Sequence, residues 1–186
     1  MGTAGRQLYT IGHSTRSLRD LVGLLQASRI ACLADVRTIP RSRHAPQFNR
    51  EALTVDFPKA SIQYVHLPRL GGFRKSRGEE SSNSGWRNAG FRGFSDYMQT
   101  DEFACGLDEL WGLAGLLRTA IMCAEAPYWR CHRLLIADAF TVRGGTVSHI
   151  LSDQKVEHHR VTPFAVVSKG RITYPPLDES QHSLVQ

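Results

Sequence analysis

The eleven residues CAEAPYWRCHR at 123–133 bring two cysteines, a carboxylate, a histidine and two arginines into one short segment. Thiolates are nucleophiles and metal ligands, and neighbouring basic groups lower the pKa of a thiol. The segment therefore predicts thiol chemistry. Cys131 is the candidate nucleophile or redox thiol, because arginine and histidine flank it. Glu125 or His132 would act as the acid or base of the reaction.

The spacing of the segment argues against other cysteine functions. Loops of cysteine phosphatases place five residues between cysteine and arginine, whereas six separate Cys123 from Arg130, and alanine stands at the arginine position counted from Cys131. The C-x2-C pairs of structural zinc sites are missing from the sequence. In a reducing compartment we expect Cys123 and Cys131 to be thiols at rest, with a transient redox pair still open. We assign Cys123, Cys32 and Cys105 to the core.

Short apolar runs separate the polar positions and predict the elements that carry them. Runs typical of strands cover 8–11, 30–37, 61–68, 119–125 and 146–150, and helical spacing covers 18–25 after the capping pair Ser17 and Asp20. YWRCHRLLIADAF predicts a further helix, and FAVVSKGRITY a terminal β-hairpin. The alternation predicts a single α/β domain over 1–186, with a mainly parallel sheet of about five strands and helical crossovers.

Polar residues follow the predicted strands, and parallel α/β sheets bind ligands at that edge. These residues are His13 and Ser14, Asp35 and Arg37, His66, Glu125 and, within the fifth strand, His149. Side chains alternate along a strand, so Asp35 and Arg37 point to the same side and pair or face a ligand together. We expect a phosphate-bearing or otherwise anionic ligand, held by Arg37, Arg133, Ser14 and the N-terminus of the helix near Cys131. Asp35 would orient a catalytic partner.

The successive motifs TIGHS, ADVRTIPRSR, QFN, YVHLPRLGG, CAEAPYWRCHR and VSHI resemble the signatures of the bacterial family known as domain of unknown function 488. The resemblance covers residues 9–150, and the ordered set of motifs is specific. It brings no activity with it, but it implies that the motif residues form one site. Those residues are His13, Ser14, Asp35, Arg37, Ser42, His66, Gly71, Gly72, Glu125, Cys131, His132 and Arg133.

Residues 71–93 are rich in glycine, serine and charge, and they predict a mobile basic loop within the domain. Basic side chains neutralise phosphates and aromatic rings stack on bases, so a nucleic-acid-binding module is an alternative function. Its candidate residues are Arg41, Arg43, Arg74, Lys75, Arg77 and Trp86. No helix-turn-helix, zinc-finger or RNA-binding signature accompanies them.

A metal-dependent, hydrolase-like site is the other alternative. His13, Asp35, His66 and Glu125 would offer the mixed nitrogen and oxygen ligands that suit zinc, manganese or iron. No local signature such as HExxH accompanies them. The sequence specifies neither a metal nor a cofactor. Against all these sites stands a structural alternative, in which the carboxylates and arginines at the strand ends pair only to stabilise the fold.

Composition sets limits on partners and location. The 23 Lys and Arg residues exceed the 17 Asp and Glu residues and give a net charge of +6, which favours anionic small molecules, nucleotides or nucleic acid. No apolar run approaches the roughly 20 residues that span a bilayer. The N-terminus lacks the apolar stretch of a secretory signal, so we expect a cytoplasmic protein without membrane contact. Residues 151–186 form a C-terminal extension, in which His158 and His159 are expected on the surface.

Overall fold

A six-stranded sheet forms the centre of the fold in the computed structural model, which describes residues 5–176; residues 177–186 of the predicted extension lie outside it. The strands are β1 (Gln7–Gly12), β2 (Cys32–Asp35), β3 (Gln63–His66), β4 (Thr119–Cys123), β5 (Thr146–Ile150), β6 (Val156–His158), β7 (Val166–Ser168) and β8 (Arg171–Thr173). The sheet order is β3-β2-β4-β1-β5-β6, and β7 pairs with β8 in a hairpin. Neighbours from β3 to β5 are parallel, and β6 is antiparallel to β5.

Helices cover both faces of the sheet. They are α1 (Leu18–Ala27), α2 (Arg50–Lys59), α3 (Ala89–Tyr97), α4 (Asp101–Leu116) and α5 (Arg133–Val142). Successive strand residues alternate between two cores, so that Leu8 packs into one and Tyr9 into the other. Leu21 of α1 and Phe57 of α2 belong to the core of Tyr9, whereas α3, α4 and α5 contribute side chains such as Phe94 to the core of Leu8. The α/β class therefore follows from two buried sheet faces.

The predicted fold class is confirmed, including the parallel sheet, the helical crossovers and the C-terminal hairpin. The difference is the sixth strand. β6 has three residues, Val-Glu-His, and two of them are exposed, so it carries no apolar alternation that reveals a strand. Among the described residues, no helix has the length and apolarity needed to cross a membrane.

The predicted loop at 71–93 is shorter than expected, because α3 already begins at Ala89. Asp96 of α3 holds the segment through hydrogen bonds from the Arg77 backbone N–H (2.8 Å), the Ser81 hydroxyl (2.6 Å) and the Asn83 side-chain amide (2.8 Å). The mobility of the loop stays a prediction.

The C-terminal extension is anchored on Asp138 of α5, which is fully buried. Its carboxylate accepts hydrogen bonds from the hydroxyls of Thr162 (2.7 Å) and Tyr174 (2.8 Å), and Nε2 of His159 lies 2.8 Å from it. The surface prediction is therefore wrong for His159, whose side chain is 1% exposed. His158 is exposed, as predicted.

The core prediction for the cysteines holds in part. Cys32 of β2, Cys123 and Cys131 are buried, whereas Cys105 is exposed, and its assignment to the core was wrong. Cys105 lies on the outer face of α4, one residue before the buried Gly106. The four residues are free thiols.

Candidate active site

The carboxyl ends of β1, β2 and β4 border a cavity of about 610 Å³. Gly12 is in register with Cys123 across β1 and β4. The pairing continues beyond both strands, because the backbone N–H of His13 donates to the Cys123 carbonyl (3.0 Å) and that of Ser14 to the Ala124 carbonyl (2.9 Å). The polar side of the cavity is lined by His13, Arg37, Thr38, Arg41, Ser42, Asn88, Cys123, Glu125, Arg130, Cys131 and His132.

Six of the predicted catalytic and ligand-binding residues line this cavity: Cys131, Glu125, His132, His13, Arg37 and Ser42. The other four, Asp35, Ser14, His66 and Arg133, are not among its lining residues. They contact the side chains or backbone of the lining residues without lining the cavity themselves. The strand ends therefore do bring the motif residues together, in two layers.

Asp35 belongs to the rear layer, where it is fully buried and holds Arg37. Its Oδ2 lies 2.5 Å from Nη2 of Arg37, and its Oδ1 accepts from Arg37 Nε at 2.9 Å. The Tyr64 hydroxyl donates to Oδ2 at 2.8 Å. Burial acts to lower the pKa of Arg37, but the hydrogen bonds and charge of Asp35 outweigh it and raise that pKa. Asp35 is thus placed to orient Arg37, and its oxygens are occupied.

His13 and His66 both face backbone carbonyls. Nδ1 of His13 lies 2.9 Å from the Ser14 carbonyl and must donate a hydrogen bond to it, so Nε2 is left to accept from Arg37 Nη1 at 3.3 Å. Burial is the main cause that lowers the pKa of His13. Nε2 of His66 contacts the Arg37 carbonyl at 2.9 Å. Both rings support the strand ends.

Neither serine of the predicted ligand set has an activating base among its described contacts. The hydroxyl of Ser42 accepts hydrogen bonds from the backbone N–H groups of His44 and Ala45, each at 3.2 Å, and closes a turn. Ser14 adopts the left-handed conformation, with φ of 49°. These serines shape the backbone at the edge of the cavity.

The Cys131 sulfur is the centre of the charged contacts at the cavity wall. Nε of Arg133 donates to it at 3.3 Å, and Nδ1 of His132 lies 3.6 Å from it. Nε2 of His132 is 3.0 Å from the Val36 carbonyl and must donate there, since a carbonyl only accepts. Nδ1 is therefore the imidazole atom that can take the thiol proton.

Cys123 completes this group, although the sequence assigned it to the core. Its sulfur lies 4.0 Å from Nδ1 of His132. A hydrogen bond from Cys123, followed by contacts with His132 and the charge of Arg133, lowers the pKa of Cys131 well below its usual value despite burial. The pKa of Cys123 is raised, because its thiol donates to Cys131 and is buried. Cys131 is therefore the thiol of the pair whose pKa is lowered, and Cys123 the one whose pKa is raised.

The helix predicted over 128–140 is divided into two elements. Tyr128–Arg130 form a 3-10 turn, Cys131 is extended, and α5 begins at Arg133. Cys131 thus precedes the first turn of α5. The groups that contact its sulfur are the side chains of His132 and Arg133.

The four residues predicted as a metal site do not converge on one point. His13 and His66 are directed at carbonyls, and Asp35 is occupied by Arg37; His13 and Glu125 line the cavity, whereas His66 and Asp35 do not. Among residues 5–176, the ligand atoms close enough to share one ion belong to Cys123, Cys131 and His132, and they lie within 4.8 Å of one another.

The basic residues of the nucleic-acid alternative fall into separate places. Arg41 lines the cavity, and Arg43, Lys75 and Arg77 are exposed. The guanidinium of Arg74 lies 3.7 Å from the centroid of the Tyr97 ring and also donates to the Gly71 carbonyl at 3.0 Å. Arg74 is therefore engaged within the fold.

Trp86 of the same alternative packs against other aromatic rings of the fold. Its ring stacks on Phe91 with 4.8 Å between centroids and meets Phe164 edge-on at 4.8 Å. Tyr174 lies next to it at 5.3 Å. These contacts pack the partly buried indole against the core.

The family described as Domain of unknown function DUF488 matches residues 17–140. The chain belongs to this family. Within it, the matched span contains the Asp35–Arg37 pair and the whole segment from Cys123 to Arg133. His13 lies before the matched span, so its place in the cavity is known from the structure alone. No curated protein and no solved structure matches the chain.

Cys123 and the Val36 carbonyl are the functional groups that sequence reasoning missed. A signal for Cys123 existed, because it is the last residue of β4 and so stands at the same edge as the other strand-end residues. The Val36 carbonyl had none, since a backbone oxygen contacted by His132, 96 positions away, leaves no trace in residue type.

Proposed function

We propose that the cavity binds a phosphate-bearing or otherwise anionic small molecule, and that Cys131 attacks it as a thiolate nucleophile. The observation that carries the proposal is the position of the Cys131 sulfur at the cavity wall, 3.3 Å from Nε of Arg133 and 3.6 Å from Nδ1 of His132. A thiol in contact with a guanidinium and an imidazole ionises readily, and the thiolate is the nucleophilic form.

The charge of the lining supports an anionic ligand. Arg37, Arg41 and Arg130 line the cavity together with one carboxylate, that of Glu125. The charge of Arg37 is balanced by Asp35 behind it. The exposed Arg41 and Arg130 therefore supply the positive charge that a ligand meets on entering.

His132 and Glu125 supply the proton transfers. Nδ1 of His132 takes the proton of the Cys131 thiol. When sulfur bonds to an electrophilic carbon or phosphorus, the bond to the leaving group breaks with its electron pair, and the proton on His132 passes to that group. Glu125 lines the same cavity, and in this proposal its carboxylate is the base for the water that releases the product from sulfur.

The test compares the alkylation of single cysteines by iodoacetate and iodoacetamide, followed by mass spectrometry. The exposed Cys105 is an internal reference in the same chain. At neutral pH we expect Cys131 to react about tenfold faster than Cys105, because an ordinary thiol is only a few per cent ionised there. We also expect a higher ratio of iodoacetate to iodoacetamide rates at Cys131, because the cavity attracts the carboxylate of the reagent.

A double variant separates the two parts of the proposal. Replacing Arg41 and Arg130 by glutamine should lower the iodoacetate rate at Cys131 and spare the iodoacetamide rate. Equal rates at Cys131 and Cys105 would contradict the activated thiolate. Equal reagent ratios at the two cysteines would contradict the anionic ligand.

A second candidate function is the binding of single-stranded nucleic acid at the cavity mouth. Phe73 is 94% exposed and lines the cavity together with Arg41, and Lys75 is exposed two residues further on. An exposed ring among cations is suited to stacking on a base. Binding of an oligonucleotide should then fall steeply with salt, and Lys75→Gln should reduce the salt slope by about 1. A lack of binding at low salt would exclude this candidate.

A further inference from the structure

We propose that Cys123, Cys131 and His132 form a binding site for a thiophilic divalent cation, with zinc as the best match. The site goes beyond the thiol reaction, because coordination engages the same Cys131 sulfur that the reaction needs unbound. The protein could therefore bind the metal or react through Cys131, but it could not do both at once.

The distances fit a tetrahedral ion after small movements. Zinc lies about 2.3 Å from sulfur and about 2.0 Å from nitrogen, which separates sulfur from nitrogen by about 3.5 Å around one tetrahedron. Nδ1 of His132 is 3.6 Å from the Cys131 sulfur and 4.0 Å from the Cys123 sulfur. The three atoms lie within 4.8 Å of one another.

Neighbouring groups fix the imidazole in the orientation that a metal requires. Nε2 of His132 donates to the Val36 carbonyl at 3.0 Å, which leaves the lone pair of Nδ1 directed at the two sulfurs. A histidine ligand in a metal site has this arrangement, with its second nitrogen bonded to a carbonyl or carboxylate. Gly72 packs so closely that a Cβ on it would lie 3.0 Å from Nδ1.

The donor set selects the class of metal. Two sulfurs and one imidazole nitrogen suit zinc, whereas magnesium and calcium prefer oxygen. Two thiolates also neutralise the double charge of the ion, and Nε of Arg133 can keep its hydrogen bond to the Cys131 sulfur. All three ligands line the cavity, so a fourth position of the ion faces it. An open position is typical of catalytic zinc and not of closed structural sites.

Titration of the chelator-treated, reduced protein with Co²⁺ tests the site. Cobalt takes the place of zinc and absorbs visible light strongly when it is tetrahedral and bound to thiolate. We expect such a spectrum to saturate at one equivalent per chain and to disappear on adding zinc. The absence of a thiolate-bound cobalt spectrum in folded wild-type protein would overturn the proposal.

Serine variants assign the ligands. Cys123→Ser should weaken cobalt binding by more than the roughly 100-fold that loss of a supporting residue costs. Cys105→Ser is the matched control, because this exposed thiol lies on α4, outside the cluster, and should leave the titration unchanged. Full retention of cobalt binding in Cys123→Ser would place the metal elsewhere and overturn the proposed site.

A protection experiment needs no variant. Zinc added to the wild-type protein should slow the alkylation of Cys131 at least tenfold and leave Cys105 unaffected. Rapid alkylation of Cys131 at saturating zinc would overturn the proposal. Alkylation of the metal-free protein reports on the thiolate alone, so failure of the nucleophile proposal is measured separately from failure of the metal site.

Discussion

The Arg133 guanidinium donates its Nε–H to the Cys131 sulfur over 3.3 Å, and both side chains are buried. Nη2 of the same group donates to the carbonyls of Glu125 and Ala126. Among residues 5–176, no carboxylate forms a salt bridge with Arg133. A buried guanidinium is stabilised by a compensating charge, and Cys131 would supply one if it ionises as proposed. The pair therefore links the turn after β4 to the state of the thiol.

Arg133→Met should raise the pKa of Cys131, because the positive charge and the donor are both lost. At a pH below the pKa, each pKa unit of increase lowers the thiolate fraction, and with it the rate of alkylation, by about tenfold. Arg133→Lys keeps the positive charge, so the pKa of Cys131 in this variant should lie between its values in Arg133→Met and in the wild type. The measurement is the rate of Cys131 alkylation by iodoacetamide against pH. Unchanged pH profiles in both variants would show that Arg133 only holds the turn.

Two substitutions of Cys123 test whether its side chain donates a hydrogen bond to Cys131. Serine keeps a hydroxyl donor, whereas alanine removes it and leaves the thiolate with one hydrogen bond fewer. We expect the pKa of Cys131 to be higher in Cys123→Ala than in Cys123→Ser, as read from the pH dependence of alkylation. Coincident profiles for the two variants would exclude Cys123 as the donor.

Asp35→Asn should destabilise the protein by about 3–5 kcal/mol, because it leaves the buried Arg37 guanidinium without its counter-charge. Urea unfolding at neutral pH measures the free energy. Asp56→Asn is the control, since its partner Lys59 is two-thirds exposed and such surface pairs contribute at most about 1 kcal/mol. A loss no larger for Asp35 than for Asp56 would mean that the Asp35–Arg37 pair adds little to stability.

The sequence predicts those parts of the site that follow from strand ends. A parallel sheet brings all its carboxyl ends to one edge, so residues as distant as Arg37 and Cys131 could be assigned to one cavity before any coordinate was known. The division into a lining layer and a supporting layer could not be predicted. Whether Asp35 faces the ligand or holds Arg37 depends on side-chain packing, which strand periodicity leaves open.

Local misassignments have a common physical cause. Burial of His159 results from its contact with Asp138, 21 positions earlier, and the polar residues around it in sequence give no sign of that contact. Trp86 was likewise assigned to a nucleic-acid-binding loop because basic residues surround it in sequence. The aromatic rings that it packs against include Phe164 from the C-terminal extension. Contacts between distant segments override local composition in both cases.

His149 of β5 is fully buried beside the site and stacks on the Tyr128 ring, with 3.4 Å between centroids. Nδ1 is 2.8 Å from the Thr10 hydroxyl, and Nε2 is 3.0 Å from Nδ1 of His159. Burial, followed by the neighbouring His159 and Arg133, lowers the pKa of His149 to about 3. An unfolded chain would bind a proton at this histidine near pH 6.5, where the folded protein does not.

The stability that neutral His149 contributes is therefore complete above about pH 6.5 and is lost as the pH falls towards 3, with a slope of about 1.4 kcal/mol per pH unit. His149→Gln should remove that slope from the free energy of unfolding, measured in urea at several pH values between 7 and about 4. His44→Gln, at an exposed position, should keep the wild-type slope. If the His149→Gln curve ran parallel to that of the wild type, a buried, neutral His149 could not be the source of the acid sensitivity.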